Sequence, residues 1–229
     1  MSTKSEFSKH AKDYDDNNII QRIVSKALVR DIKNKPKNIL ELGCGSGQIF
    51  RNISWDIEYY KAIDFSPSMC ELHPREKNIE VKCFDFDSEE FYENIKDEKY
   101  DLVISASAMQ WSKDLNLLIK RLLSVSNTIN AVLFTSNTFK SIYDITKQAP
   151  AILSLEEIKE AVKYTNSTFE VFTYKLEFKS KKELFKYIKN SGVKGEVQLS
   201  FKDAKNLYKK YDLNYLEFEV VFVKIEDWY

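Results

Sequence analysis

Hydrophobic positions along this chain fall into short runs separated by stretches with helical spacing. Asn38–Leu42 (NILEL), Glu58–Ile63 (EYYKAI), Ile79–Phe84 (IEVKCF), Tyr100–Ser105 (YDLVIS) and Ala131–Thr135 (AVLFT) have the length and apolar content of buried strands. Between them lie segments such as Asp114–Ser124, where Leu115, Leu118, Ile119 and Leu122 share one helical face. Strand and helix in alternation predict βαβ units, a parallel sheet covered on both faces, and right-handed crossovers. The fold class expected is α/β and doubly wound, with five parallel strands.

The flanks of this core read differently. Asn17–Arg30 is amphipathic, with Ile19, Ile20, Ile23, Ala27 and Leu28 facing one way and Gln21 and Arg22 on the polar side. It is expected to lie as a helical cap over the mouth of the sheet. After residue 135 a helix is predicted over Leu155–Tyr164, opened by a capping box of Ser154 and Glu157. Phe169–Phe178 (FEVFTYKLEF) is β-rich, Lys181–Lys189 and Lys202–Tyr211 are helical, and Leu216–Ile225 (LEFEVVFVKI) is a late strand. Two strands so placed predict an antiparallel addition at the sheet edge, with a small helical lid.

Composition narrows the function classes. The 229 residues are 43% hydrophobic, which supports a sizeable core. Lys plus Arg total 35 and Asp plus Glu total 35, so no net charge favours wrapping a nucleic acid. Cys44, Cys70 and Cys83 are odd in number and scattered, without metal-ligand spacing, which argues for a reducing cytoplasm and no bound metal. The first residues are polar and lack the apolar core of a signal peptide, and no run is long enough to span a membrane.

The chemistry concentrates in ILELGCGSGQI, residues 39–49. Three of the five glycines in the chain, Gly43, Gly45 and Gly47, stand at alternate positions directly after the first strand. Such a turn is either simply tight or leaves bare backbone beside a ligand, and Gln48 is expected to start a helix. In doubly wound sheets the ligand crevice lies at the carboxyl ends of the strands. Glu41 precedes the turn, Asp64 ends the second strand, and Asp85 ends the third. Asp64 is placed to accept from ribose hydroxyls, and Asp85 from an adenine amino group, with Phe65, Met69 or Phe86 against the ring.

Glu41, Gly43, Gly45, Asp64 and Asp85 together resemble the class I S-adenosylmethionine-dependent methyltransferases. The resemblance implies that the turn passes the methionine part of the cofactor and that the two later acids hold its nucleoside. It adds Tyr14, Cys44 and Ser105 as expected cofactor contacts. Candidate bases are few: His10 and His73 are the only histidines, and His73, in ELHPRE, is expected in a surface loop. This scarcity favours an acceptor that is already anionic, such as a carboxylate, although Tyr or Asp could also serve.

The segments FSKHAKDYDDNNIIQRIVSKAL, ISASAMQW, LFTSNTF, LSLEEIKEAV and LFKYIKNSGVKG are together similar to the malonyl-acyl-carrier-protein O-methyltransferases of biotin synthesis. That resemblance implies methylation of the free malonyl carboxylate, which is ionised at neutral pH, so that catalysis rests on positioning and desolvation. Tyr14, Arg22, Gln110 and Trp111 are the expected catalytic-site residues, and Lys186, Lys189 or Lys194 a possible acceptor cation. Residues 1–36 would be the cap, 37–136 the cofactor-binding core, 137–215 the lid and edge elements, and 216–229 the last strand.

Residues 175–210 hold eleven lysines against four acids, and acyl carrier proteins are acidic, so a monomer docking its carrier there is the expectation. The chain departs from the family at Ala106, where members often have Asn, and at residues 126–130, where they often have a Pro-Gly-Gly turn. Other readings are a different carboxyl or O-methyltransferase, and a non-catalytic adapter that keeps the fold.

Overall fold

A computed structural model describes residues 18–148, 150–190 and 201–226. Its strands are β1 (Asn38–Leu42), β2 (Tyr59–Asp64), β3 (Ile79–Cys83), β4 (Leu102–Ala106), β5 (Thr128–Phe134), β6 (Asn166–Glu177) and β7 (Tyr215–Glu226). They form one sheet in the order β3-β2-β1-β4-β5-β7-β6. The first five strands run parallel to one another, and β7 enters antiparallel between β5 and β6. The expected late addition is therefore present.

β1 lies between β2 and β4, with Ile39 opposite both Tyr60 and Leu102. The strand order reverses here, and the turn carrying three glycines leaves the carboxyl end of this strand. A crevice is expected at that point.

Helices cover both faces, because successive side chains on each strand point to opposite sides. One face is packed by α1 (Ile19–Asp31), α5 (Lys140–Thr146), α7 (Lys181–Asn190) and α8 (Phe201–Lys210), and its core joins Val24, Tyr60, Ile104, Phe134, Leu184 and Phe218. The other is packed by α3 (Glu89–Ile95), α4 (Leu115–Leu123) and α6 (Leu155–Ala161), joining Leu42, Phe91, Leu118 and Ile158. The short α2 (Pro67–Leu72) follows β2. The predicted capping box is formed: Glu157 N–H donates to Ser154 Oγ at 3.2 Å, and Ser154 N–H to Glu157 Oε2 at 2.7 Å.

Two expectations change. First, α1 lies on the face of the sheet against β4 and β5, touching the turn at Phe50–Asn52, rather than over the mouth. Its buried stripe is Ile20, Gln21, Val24, Ser25, Leu28 and Val29. Ile23 is left 43% exposed, and Gln21 is buried instead of facing water. Ser25 tolerates burial because its hydroxyl donates to the Gln21 carbonyl at 2.7 Å. Second, no α-helix starts at Gln48; only a 3-10 turn forms at Phe50–Asn52. The Asn52 side-chain amide takes the Gln48 carbonyl at 2.7 Å, while the Asn52 backbone N–H bonds Ile49. A side chain thus occupies the acceptor that an α-helical turn would need.

One ion cluster, built on a buried lysine with two half-buried acids, lies between β2 and the chain after α3. Lys61, with its side chain 2% exposed, donates to Glu98 at 2.6 Å and stands 3.4 Å from Glu80. Tyr59 and Tyr100 hydroxyls donate to Glu80 and Glu98 respectively. Without Glu98 the buried Lys61 keeps only Glu80, at the longer distance, as an acid partner, whereas removing the lysine as well removes the need for one. Glu98→Ala should lower stability by about 1–3 kcal/mol, and adding Lys61→Met should restore most of it. Equilibrium urea unfolding of the three proteins checks this; a Glu98→Ala protein as stable as the parent would contradict it.

Candidate functional site

The three turn glycines all have positive φ, at +68° for Gly43, +51° for Gly45 and +91° for Gly47, yet their surroundings differ. A Cβ on Gly43 would sit 2.1 Å from Ala108 Cβ, so the turn is pressed against the loop after β4. A Cβ on Gly47 would sit 2.6 Å from Pro74 Cδ and about 3.2 Å from the His73 ring. At Gly45 nothing lies within 4 Å. Only Gly45 turns its bare backbone to open space; its neighbours let chain pack on chain. Cys44 is buried beneath the turn, in the core, with its N–H on the Ile63 carbonyl at 2.9 Å.

Asp64 closes the turn from the neighbouring strand. Gly45 N–H donates to its Oδ2 at 2.9 Å, and Ser66 N–H to its Oδ1 at 2.8 Å. The residue is 7% exposed. Burial pushes its carboxyl up to about 6, against the opposing pull of the two amides. Each carboxylate oxygen carries a further lone pair, so the group can still accept from a ligand's hydroxyls. Asp85 is exposed at the end of β3; its Oδ1 accepts from Asp87 N–H at 3.0 Å. Asp87 braces the rim, taking Ser112 Oγ at 2.7 Å and Lys113 N–H at 2.9 Å.

The remaining predicted residues divide. Phe65 is half-buried beside Asp64, and Met69 is buried in α2. Phe86 is buried in the core cluster with Ile63 and Phe91. Ser105 donates its hydroxyl to the Leu42 carbonyl at 2.9 Å, which ties β4 to β1. Gln110 and Trp111 occupy a 3-10 turn, Met109–Trp111, beyond β4. Gln110 donates to the Ser107 carbonyl at 2.8 Å, and its Oε1 is buried without a partner, as is Ser107 Oγ. Orphaned polar atoms are rare in a finished interior, and here both sit at the ligand edge of β4. Arg22 is exposed on α1 and makes no ion pair among the described residues. Tyr14 lies outside the described residues.

Sequence reasoning missed a buried cluster under the turn. Glu41, 1% exposed, accepts from the Tyr60 hydroxyl at 2.6 Å. His73 is not in a surface loop; it is 2% exposed, with Nε2 at 3.7 Å from Glu41 Oε2. Burial raises the Glu41 carboxyl although His73 and Tyr60 both pull it down. Glu41 therefore supports the turn from beneath and does not open on the mouth. No local pattern marks His73, because its partner is on another strand. The cysteines are less scattered than their spacing implied. Cys70 Sγ is 3.5 Å from the Asp64 carbonyl, and Cys83 Sγ is 3.5 Å from that of Phe65.

Residues 39–128 match the family described as "Methyltransferase domain". The malonyl-[acyl-carrier protein] O-methyltransferase of Acetivibrio thermocellus is 29% identical over 185 residues, covering 72% of this chain and 64% of that one. The chain thus spans just under two thirds of that relative's length. Among solved structures, YcgJ of Bacillus subtilis matches with a TM-score of 0.65 at 11% identity, over 90% of this chain and all of that one. The plantazolicin methyltransferase BpumL, solved in complex with SAH, matches with a TM-score of 0.56 at 17% identity, over 99% of this chain and 94% of that one. The bare face of Gly45 and the carboxylate oxygens of the buried Asp64 offer open space and hydrogen-bond acceptors of the kind such a ligand needs. The chain therefore has the class I methyltransferase fold, its residues 39–128 match a methyltransferase domain, and the cofactor indicated is S-adenosylmethionine.

Proposed function

We propose that the chain methylates the free carboxylate of a malonyl group carried on an acyl carrier protein. The observation that carries the cofactor half is the Asp64–Gly45 bond of 2.9 Å beside a backbone face with nothing within 4 Å. The acceptor half is supported by the named relative and by what the mouth lacks. His73, the only histidine among the described residues, is locked inside, so it cannot serve as a base there. An acceptor that is already a carboxylate needs none.

S-adenosylmethionine, when bound, supplies an electrophilic methyl group on a sulfonium. The chain's own residues then have to bind, align and exclude water. Asp64 accepts from the ribose hydroxyls, and Asp85 meets the base. Trp111 and Gln110 wall the acceptor side, and Arg22 orients the acceptor carboxylate, with Tyr14 assigned to the same site. In this scheme residues 1–36 act as cap, 37–136 as cofactor core, 137–215 as lid and edge, and 216–229 as the last strand. The carrier is drawn in by the lysine face of α7 and α8. Lys182, Lys186, Lys205, Lys209 and Lys210 are exposed and have no acid partner among the described residues. Lys181 differs, reaching Asp212 at 3.6 Å. A one-sign surface beside the pocket steers an acidic partner and loses that effect in salt.

Asp64→Asn puts an amide where both oxygens now accept, and should weaken S-adenosylhomocysteine binding at least about tenfold by calorimetry. An unchanged affinity would show the site misplaced. The acid sensitivity follows from the sign of the shift. The free carboxyl holds its proton up to about 6, so affinity is full above that pH and falls as pH drops through it. Folding stability runs the opposite way: the raised carboxyl favours the fold at low pH, and that contribution is lost as pH rises through about 6.

Mixing the protein with malonyl-carrier and labelled cofactor should add one methyl to the malonyl arm by mass spectrometry, with malonyl-coenzyme A clearly poorer. Lys182→Glu with Lys205→Glu should raise KM for the carrier roughly tenfold at low salt, on steering grounds, with cofactor affinity unchanged. Equal rates on both thioesters would remove the carrier from the proposal.

A further inference from the structure

We propose that the chain carries a second small-molecule site, away from the cofactor turn, which takes an organic ammonium ion with an apolar or aromatic body. The site is a cavity of about 270 Å³ between the carboxyl-terminal half of α1 and the face formed by β6 and β7.

Its place follows from the topology. β6 is the last strand of the sheet, and α1 packs chiefly on β4 and β5, which leaves a gap above β7 and β6 on the same face. Leu28 of α1 forms one wall. Phe172 and Tyr174 of β6, at alternate positions, share the floor with Phe222 of β7. The Phe172 and Phe222 rings meet edge to face with centroids 5.6 Å apart, and Phe172 is still 44% exposed. A ligand here would take that ring out of water. Asn130, on the lining, is the third residue of β5, so the cavity lies toward the amino ends of the parallel strands. The cofactor turn leaves their carboxyl ends, and none of its residues lines the cavity.

The asparagine decides what the ligand must offer. Asn130 is 8% exposed, and its Oδ1 is buried without a hydrogen-bond partner. An amide oxygen only accepts, so whatever satisfies it must be a donor. Buried acceptors with no partner are rare. The next positions on this face of β5, Val132 and Phe134, are apolar and join the core. A leucine at 130 would therefore suit the fold alone, and the asparagine calls for another explanation.

The charge on the lining has one sign to spare. Asp31, which ends α1, and Glu170, on β6, face the cavity from the helix side and the sheet side, and neither forms an ion pair among the described residues. Lys224 also lines it but already holds Glu226 at 2.6 Å. The carbonyl end of α1 adds the negative pole of a helix dipole. An anion here would meet two carboxylates and an acceptor oxygen. A neutral apolar molecule would cover the floor and leave Asn130 unsatisfied. An ammonium group donates to Asn130, is drawn by both carboxylates, and is attracted by the aromatic rings, on which its apolar body also packs.

Nitrogen-15 NMR of the full chain with 2-phenylethylammonium tests this. The Asn130 side-chain amide signals should shift saturably, with a Kd of about 1 mM or below. 2-Phenylethanol and 3-phenylpropionate keep the ring and change the charge; both should bind at least about tenfold more weakly. Asn130→Leu should unfold in urea no earlier than the parent, yet bind the amine at least about tenfold more weakly, read from the Glu170 backbone amide. Glu170→Gln, on the exposed edge strand, should also weaken binding, by a factor that shrinks in salt.

No saturable shift at Asn130, an alcohol or carboxylate that binds as tightly as the amine, or a folded Asn130→Leu or Glu170→Gln protein with undiminished affinity would each overturn the proposal. None of these readings involves the cofactor, so they stand or fall separately from methyl transfer.

Discussion

The tie between the end of β2 and the turn after β1 organises the rest of the site. A buried carboxylate, Asp64, takes one backbone amide from the turn and one from its own following segment. This carboxylate does two things. It fixes where Gly45 stands, and it puts a desolvated negative acceptor at the point where the sheet changes direction. A desolvated carboxylate is held in the fold at a cost, since burial opposes its ionisation. Such tension is common where a group must meet a ligand.

Everything packed around that tie serves to keep it in place. β1 sits between β2 and β4, so the turn is flanked on both sides. On the β4 side, Ala108 fills the space where Gly43 would carry a side chain, and Ser105 anchors the last carbonyl of β1. On the β2 side, His73 and Pro74 fill the equivalent space at Gly47. Beneath, Tyr60 and Glu41 close the interior. Across the rim, Asp87 joins the chain after β3 to the chain after β4. The turn has no long helix behind it to lend a dipole, so its shape rests on these side-chain contacts.

Much of the fold was legible in the sequence because its signals are local. Runs such as NILEL and YDLVIS are short, apolar and evenly spaced, and the Ser154–Glu157 capping box lies within four residues. The strand-end acids and the glycine turn were legible for the same reason. What the sequence hid depends on contacts between distant segments. Whether His73 is exposed is decided by β1 and β2, not by ELHPRE. Which side of α1 is buried is decided by the sheet, which takes Gln21 and Ser25 inside and leaves Ile23 out. Phe86 follows Asp85 in the sequence yet turns into the core. The missing helix at Gln48 turned on one side-chain amide, Asn52, competing for a backbone carbonyl.

The most direct measurement is a crystal structure of the protein grown with S-adenosylhomocysteine. The account predicts the ribose hydroxyls on Asp64 and the amino-acid arm of the ligand running along the open face of Gly45. A ligand bound elsewhere, or one seated at the mouth with Asp64 still bonded only to its two backbone amides, would contradict it.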